Sequence, residues 1–322
     1  MSRKQWTLEE LTVGVQEGEP RALARAISLV ENGDPLGYPL VRDLYPETGT
    51  AAVVGVTGPP GVGKSSLIGA LVAHVRGLGR TVGVVSVDPS SPFSRGALLG
   101  DRIRLSDHFL DPGVYIRSMG TRGHQGGLAE ATLQAVLLLD ASGKEVVFVE
   151  TVGAGQGEVE VTGISDSVLL VLMPGSGDSV QALKAGIMEI PDVIAVNKMS
   201  HPAAKTMLNE VRSVLRLADS ADRRPPIVLT EAIDGTNVPE LWEKLEEHRA
   251  ALERDGELED RRRRNLAAEV FALASSRARM HLEGAVRDDA ELARVLEAVE
   301  GRKLDPLSAV HEILEKVFRI ED

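Results

Sequence analysis

Residues 51–71 read AAVVGVTGPPGVGKSSLIGAL, and the fold follows from how this stretch is read. It opens with apolar β-formers at 51–57 and turns through Gly58-Pro59-Pro60-Gly61-Val62-Gly63-Lys64-Ser65. From Ser65-Ser66 it runs on as a helical pattern. The turn matches GxxxxGK[ST] in full. A strand before it and a helix after it separate a phosphate-binding P-loop from a chance glycine-rich turn. Its glycines let successive backbone N–H groups face phosphate oxygens, and the helix N-terminus adds partial positive charge. Lys64 is placed to reach β- and γ-phosphates, and Ser65 to hold Mg²⁺.

Outward from the P-loop, short β-rich runs alternate with helical ones. The runs 51–57, 81–88, 114–119, 145–150, 167–173, 192–197 and 226–230 predict strands. Several are continuously apolar, as strands buried on both faces are, which predicts a mainly parallel sheet covered by helices. Before the sheet, Thr7-Leu8-Glu9-Glu10 reads as a capping box, and 21–31 carries helical apolar spacing. After it, 260–322 reads as helix throughout. The expected architecture is an α/β P-loop NTPase fold with helical extensions at both ends. Its parts are an N-terminal helical segment (1–48), a P-loop domain (49–255) and a C-terminal helical segment (256–322).

Composition bounds the function. With 48 acidic against 36 basic residues the net charge is −12, which argues against nucleic-acid or anionic-membrane binding. Arg261–Arg264 follow acids at 257, 259 and 260 and read as a charged helix face. There is no cysteine, hence no disulfide, thiolate metal site or thiol nucleophile, and a reducing cytoplasm fits. No run approaches a membrane span, and MSRKQWTLEELT lacks the apolar centre of a signal peptide.

A phosphate cradle needs a metal site, so acids at strand ends matter. Asp88 ends one predicted strand and Glu150 another, and in a parallel sheet both would face the ligand side. A third strand ends in DVIAVNKMSH (192–201). Many GTP-binding proteins close such a strand with Asn-Lys-x-Asp, whose acid reads guanine. Here Asn197-Lys198 are present, but Ser200 holds the acid's place. Alone the stretch reads as a GTP site without its base reader, a site for another nucleotide, or an ordinary strand end. Beside the P-loop, Asp88 and Glu150 it reads as a base-recognition loop.

Six segments together carry a resemblance: GPPGVGKSSL, VDPSSPF, LLGDRIRL, ETVGAGQGEVE, MPGSGDSVQALKAGIMEI and the Asn-Lys pair. In this order they resemble the MeaB/ArgK-type P-loop GTPases, relatives of the methylmalonic aciduria type A protein, over nearly the whole chain. The resemblance implies a GTP-hydrolysing metallochaperone-type protein, binding GTP or GDP with Mg²⁺. Its implied partner is an adenosylcobalamin-dependent acyl-CoA mutase, whose cofactor loading it gates and which it protects. It implies metal roles for Ser65, Asp88, Asp101 and Glu150, with 89–101 and 150–160, including Gly153, as switches. It makes 174–178 and the helix after it, through Gly175, Asp178, Gln181 and Lys184, a mobile element that senses the mutase. It also makes the C-terminal segment a homodimer interface. An older label for the family leaves a second reading, a kinase or ATPase linked to basic amino-acid transport.

The implied chemistry is in-line attack of water on GTP, with Lys64 neutralising phosphate charge, Glu150 at the metal, and Gln156 orienting the water. Around the base, Asn197, Lys198, Ser200, Glu231 and Ala232 are expected to contribute, the last two through backbone N–H groups toward guanine O6. Ser200 cannot replace a carboxylate that accepts two guanine donors. The expected loss is about tenfold to several hundredfold in guanine preference, with phosphate binding intact.

Overall fold

Thr7 begins the first helix as its residue type predicts. Its hydroxyl accepts from the Glu10 N–H at 3.2 Å, while the Glu10 carboxylate accepts from the Thr7 N–H at 3.0 Å. Helices α1 (Leu8–Gln16), α2 (Pro20–Glu31) and α3 (Gly37–Leu44) follow in close succession. The computed structural model describes residues 6–88, 105–120, 127–151, 163–176, 191–217 and 224–318.

Among the described residues seven strands form one parallel sheet: β1 (Ala52–Thr57), β2 (Val82–Asp88), β3 (Val114–Gly120), β4 (Val146–Thr151), β5 (Ser167–Leu172), β6 (Val193–Val196) and β7 (Ile227–Leu229). Their order across the sheet is β3-β2-β4-β1-β5-β6-β7, and every neighbouring pair is parallel. All seven predicted strands are present, with ends within a residue of the expected ones. Among the described residues, α4 (Lys64–Gly77), α5 (Gly127–Ala141), α6 (Ala204–Leu217) and α7 (Val238–Arg254) pack against the sheet.

Alternation along β4 shows why both faces need cover. Val147 and Val149 pack with Leu11, Leu23 and Ile27 of the N-terminal helices and with Leu139 of α5. Val146 and Phe148 pack on the opposite face with Leu67 and Leu71 of α4 and Leu245 of α7. Phe148 is fully buried and meets Trp242 edge-on, centroids 6.3 Å apart. Burying a ring of that size contributes about 2–3 kcal/mol. Farther along, Leu170, Leu172, Ile194 and Val196 are covered by Met207, Val211 and Leu215 of α6.

The edge of the sheet where the strands begin is closed by acids. Asp140 accepts from the backbone of Gly49 and Ala51, Asp166 from the Val53 N–H, and Asp192 from the Val168 N–H. Helix α8 (Glu257–Asp288) supplies the countercharges. Arg262 donates to both oxygens of Asp166 at 2.7 Å, and this bond, against the opposing effect of burial, raises its pKa. Arg261 forks onto Asp192 at 3.0 and 2.7 Å. Two of the four consecutive arginines are thus bound to carboxylates at strand starts.

Contacts divide the chain into two units, Met1–Leu266 and Ala267–Asp322. The boundary falls after Leu266 because Arg261, Arg262 and Asn265 of α8 bond to strand starts of the first unit. The second unit is helical: the rest of α8, then α9 (Ala290–Glu300) and α10 (Pro306–Phe318). Asp289 caps α9 and pairs with Lys316 of α10 at 3.0 Å. Leu282, Val286, Leu296, Val310, Ile313 and Leu314 of this unit line an apolar groove of about 660 Å³. Among the described residues, no helix is long and apolar enough to cross a membrane.

Candidate nucleotide site

In a parallel sheet every strand ends on the same edge, so the loops after β1, β6 and β7 meet there with the end of β4. The first of these is the P-loop. Gly58, Gly61 and Gly63 have φ of 139°, 77° and 94°, values that side chains with a Cβ rarely adopt. Two of them are also fixed by their neighbours. A Cβ on Gly58 would lie 2.1 Å from the Val171 carbonyl oxygen, and one on Gly63 would lie 2.6 Å from Asn197 Nδ2. Gly58 and Gly63 are therefore needed for close approach as well as for turning, and Gly61 for turning alone.

Lys64 opens α4 and is buried. Its ammonium donates to the Gly58 carbonyl at 2.7 Å and the Pro59 carbonyl at 3.0 Å, which holds it over the loop. Pro59 and Val62 are buried, Pro60 and Gly61 are exposed at the rim, and Ser66 is exposed on the first turn of α4.

Beside Lys64, the Ser65 hydroxyl donates to Glu150 Oε1 at 2.6 Å. Both residues are buried. The other Glu150 oxygen accepts from the Ser86 hydroxyl at 3.2 Å, and Ser86 is Glu150's register partner on β2. Ser86 was not expected from the sequence. The only signal was a lone small polar residue among the valines of β2. Asp88 ends the same strand two residues on, paired with Gly120 of β3, and its side chain lies outside the described residues. A hydroxyl and a carboxylate brought together without sulfur or imidazole suit a small, hard cation such as Mg²⁺.

The base-side loop is tied to the P-loop by Asn197. Its Nδ2 donates to the Val62 carbonyl at 3.0 Å, and its Oδ1 accepts from the Ala232 N–H at 3.1 Å. Lys198 sits in the left-handed region at φ 57° and reaches across the loop, donating to the Gly61 carbonyl at 3.2 Å. A strained residue at this point is typical of a functional turn. Ser200, two residues on, donates from both N–H and hydroxyl to Glu231 Oε2, at 3.2 and 2.6 Å. The N–H groups expected to face guanine O6 are otherwise engaged. That of Glu231 goes to the Thr236 carbonyl, and that of Ala232 goes to Asn197.

Gly175, after β5, has φ 74°, and a Cβ there would stand 3.5 Å from His201 of the base-side loop. The remaining expected positions lie outside the described residues: Asp101, Gly153, Gln156, Asp178, Gln181 and Lys184, with segment 89–101 and most of 150–160.

A family model described as methylmalonyl-CoA mutase-associated GTPase MeaB matches residues 23–286. The chain belongs to the MeaB family. It is 44% identical to a Pyrococcus abyssi protein provisionally named a GTPase, over 97% of each chain. It is 32% identical to the GTPase ArgK of Escherichia coli, over 96% of each. Among solved structures, that of a LAO/AO transport system kinase superposes with a TM-score of 0.75 at 25% identity, covering 99% of this chain and 100% of that one. The resemblance read from the motifs and the P-loop NTPase fold are both borne out.

Proposed function

We propose that this MeaB-family chain is a Mg²⁺-dependent GTPase whose nucleotide state controls its hold on an adenosylcobalamin-dependent acyl-CoA mutase. The mutase is methylmalonyl-CoA mutase or a relative, and the chain gates its cofactor loading and protects it, in the cytoplasm, as a homodimer. The observation that carries the chemistry is the buried Ser65–Glu150–Ser86 hydrogen-bonded cluster beside the P-loop. The mutase partner rests on the family's description.

The chain's residues divide the work of hydrolysis. Backbone N–H groups of 61–65 cradle the β- and γ-phosphates, and Lys64 moves from the Gly58 and Pro59 carbonyls to a phosphate oxygen. Ser65 and Glu150, with Asp88 and Asp101, would hold Mg²⁺, which supplies neutralisation of phosphate charge. Gln156 orients the attacking water, its amide able both to donate and to accept. Gly175, Asp178, Gln181 and Lys184 carry the nucleotide state to the mutase.

A second reading, a kinase or ATPase linked to basic amino-acid transport, draws support from the superposing structure, which bears the name of a transport-system kinase. Phosphate release from GTP and from ATP, measured with and without the mutase, separates the two. The proposal expects slow GTP turnover that the mutase accelerates. Transfer of the γ-phosphate to a protein or amino acid, with no response to the mutase, would sink it.

A further inference from the structure

The acid missing from position 200 has a substitute 31 residues along the chain. Glu231 follows β7, and its carboxylate is held against Ser200 by the hydroxyl at 2.6 Å and the N–H at 3.2 Å. Both bonds land on Oε2. Among the described residues, no donor is bonded to Oε1. Glu231 is buried, and its backbone is fixed by a bridge to Thr236 closed over a tight turn through Gly235, φ 76°. The residues on either side of it, Thr230 and Ala232, both bond to Asn197 Oδ1, at 3.4 and 3.1 Å. Asn197 in turn bonds the P-loop at Val62. The carboxylate therefore stands in the same hydrogen-bonded frame as the phosphate cradle, against the residue that holds the acid's place in Asn-Lys-x-Asp.

We infer that Glu231 is the guanine-reading carboxylate of this protein, with Ser200 as the residue that positions it. The acid and its hydroxyl partner are exchanged between the two base-side loops. A carboxylate fixed in this way accepts from guanine N1–H and the exocyclic amino group, and repels the acceptor at adenine N1. The loss of selectivity expected from Ser200 alone then does not follow. This inference rests on the nucleotide-site reading, and its test keeps the two apart.

The test is a titration of the full chain with fluorescent GDP, XDP and ADP in Mg²⁺, for the wild type, Glu231→Gln and the reciprocal pair Ser200→Asp/Glu231→Ser. The wild type is expected to bind GDP at least about a hundredfold more tightly than ADP. Glu231→Gln should lower GDP affinity by about tenfold or more and raise XDP affinity. Xanthine carries a carbonyl where guanine has its amino group, so an amide there can donate to it. The reciprocal pair should recover GDP preference, which also answers the objection that Glu231→Gln merely disturbs the fold. Equal GDP and ADP affinities in the wild type, or an unchanged GDP-to-XDP ratio in Glu231→Gln, would overturn the inference while leaving the phosphate site standing. A wild-type chain that binds none of the three diphosphates contradicts the nucleotide-site reading, and this inference with it.

Discussion

Gly63 shows how much of the site rests on one missing methyl group. It is the residue before α4, it has φ 94°, and Asn197 Nδ2 occupies the space a Cβ would take. Asn197 is also the link between the P-loop and the loop after β7. Gly63→Ala is expected to displace that side chain and weaken nucleotide binding by at least about tenfold, with a stability loss of roughly 1–3 kcal/mol. Isothermal titration with GDP and urea unfolding of the same variant would check both. An unchanged GDP affinity would show that the Asn197 link is dispensable. The glycines, Lys64, Ser65, Asn197 and Lys198 were readable from sequence because their chemistry is confined to short contiguous motifs. The contacts of Ser86 with Glu150 and of Ser200 with Glu231 were not. Each joins residues 64 or 31 positions apart, and only the strand order brings them together.

At the scale of elements, the strands were readable because burial on both faces leaves continuous apolar runs, as in VVGV and SVLLVL. The ionic closure at the start of the strands was not, since Arg261 and Arg262 read only as part of a charged helix. Around Asp192 this closure has a pH signature. Burial alone would raise the Asp192 carboxyl, but hydrogen bonds from His248 and Arg261 outweigh it and hold the pKa at about 2, below its ordinary 3.8. A folded pKa below the unfolded one means stability that is fully present above about pH 4. That stability is lost as pH falls through about 2. The contribution is on the order of 2 kcal/mol. Urea unfolding of wild type and Asp192→Asn from pH 7 to 2 should show a gap that narrows across this window. A gap of constant size would mean that the Asp192 charge is not what the pairing stabilises.

For the whole molecule, the second unit raises the question of what covers its apolar surface. Val270, Phe271 and Leu307 are 59%, 72% and 76% exposed, near the same helices that line the apolar groove. A homodimer through this unit predicts a sedimentation coefficient that rises with protein concentration, and a monomer for Phe271→Glu with GDP affinity retained. A monomeric wild type at tens of micromolar would remove dimerisation from the account. The central claim, that nucleotide state governs the hold on a cobalamin-dependent mutase, is tested most directly by calorimetric titration of the mutase into this chain. The titration is run once with GDP and once with a non-hydrolysable GTP analogue, both in Mg²⁺. The account predicts binding whose affinity differs by at least about tenfold between the two states, a coupling of about 1.4 kcal/mol or more. Identical affinities in the two states, or no binding in either, would contradict it.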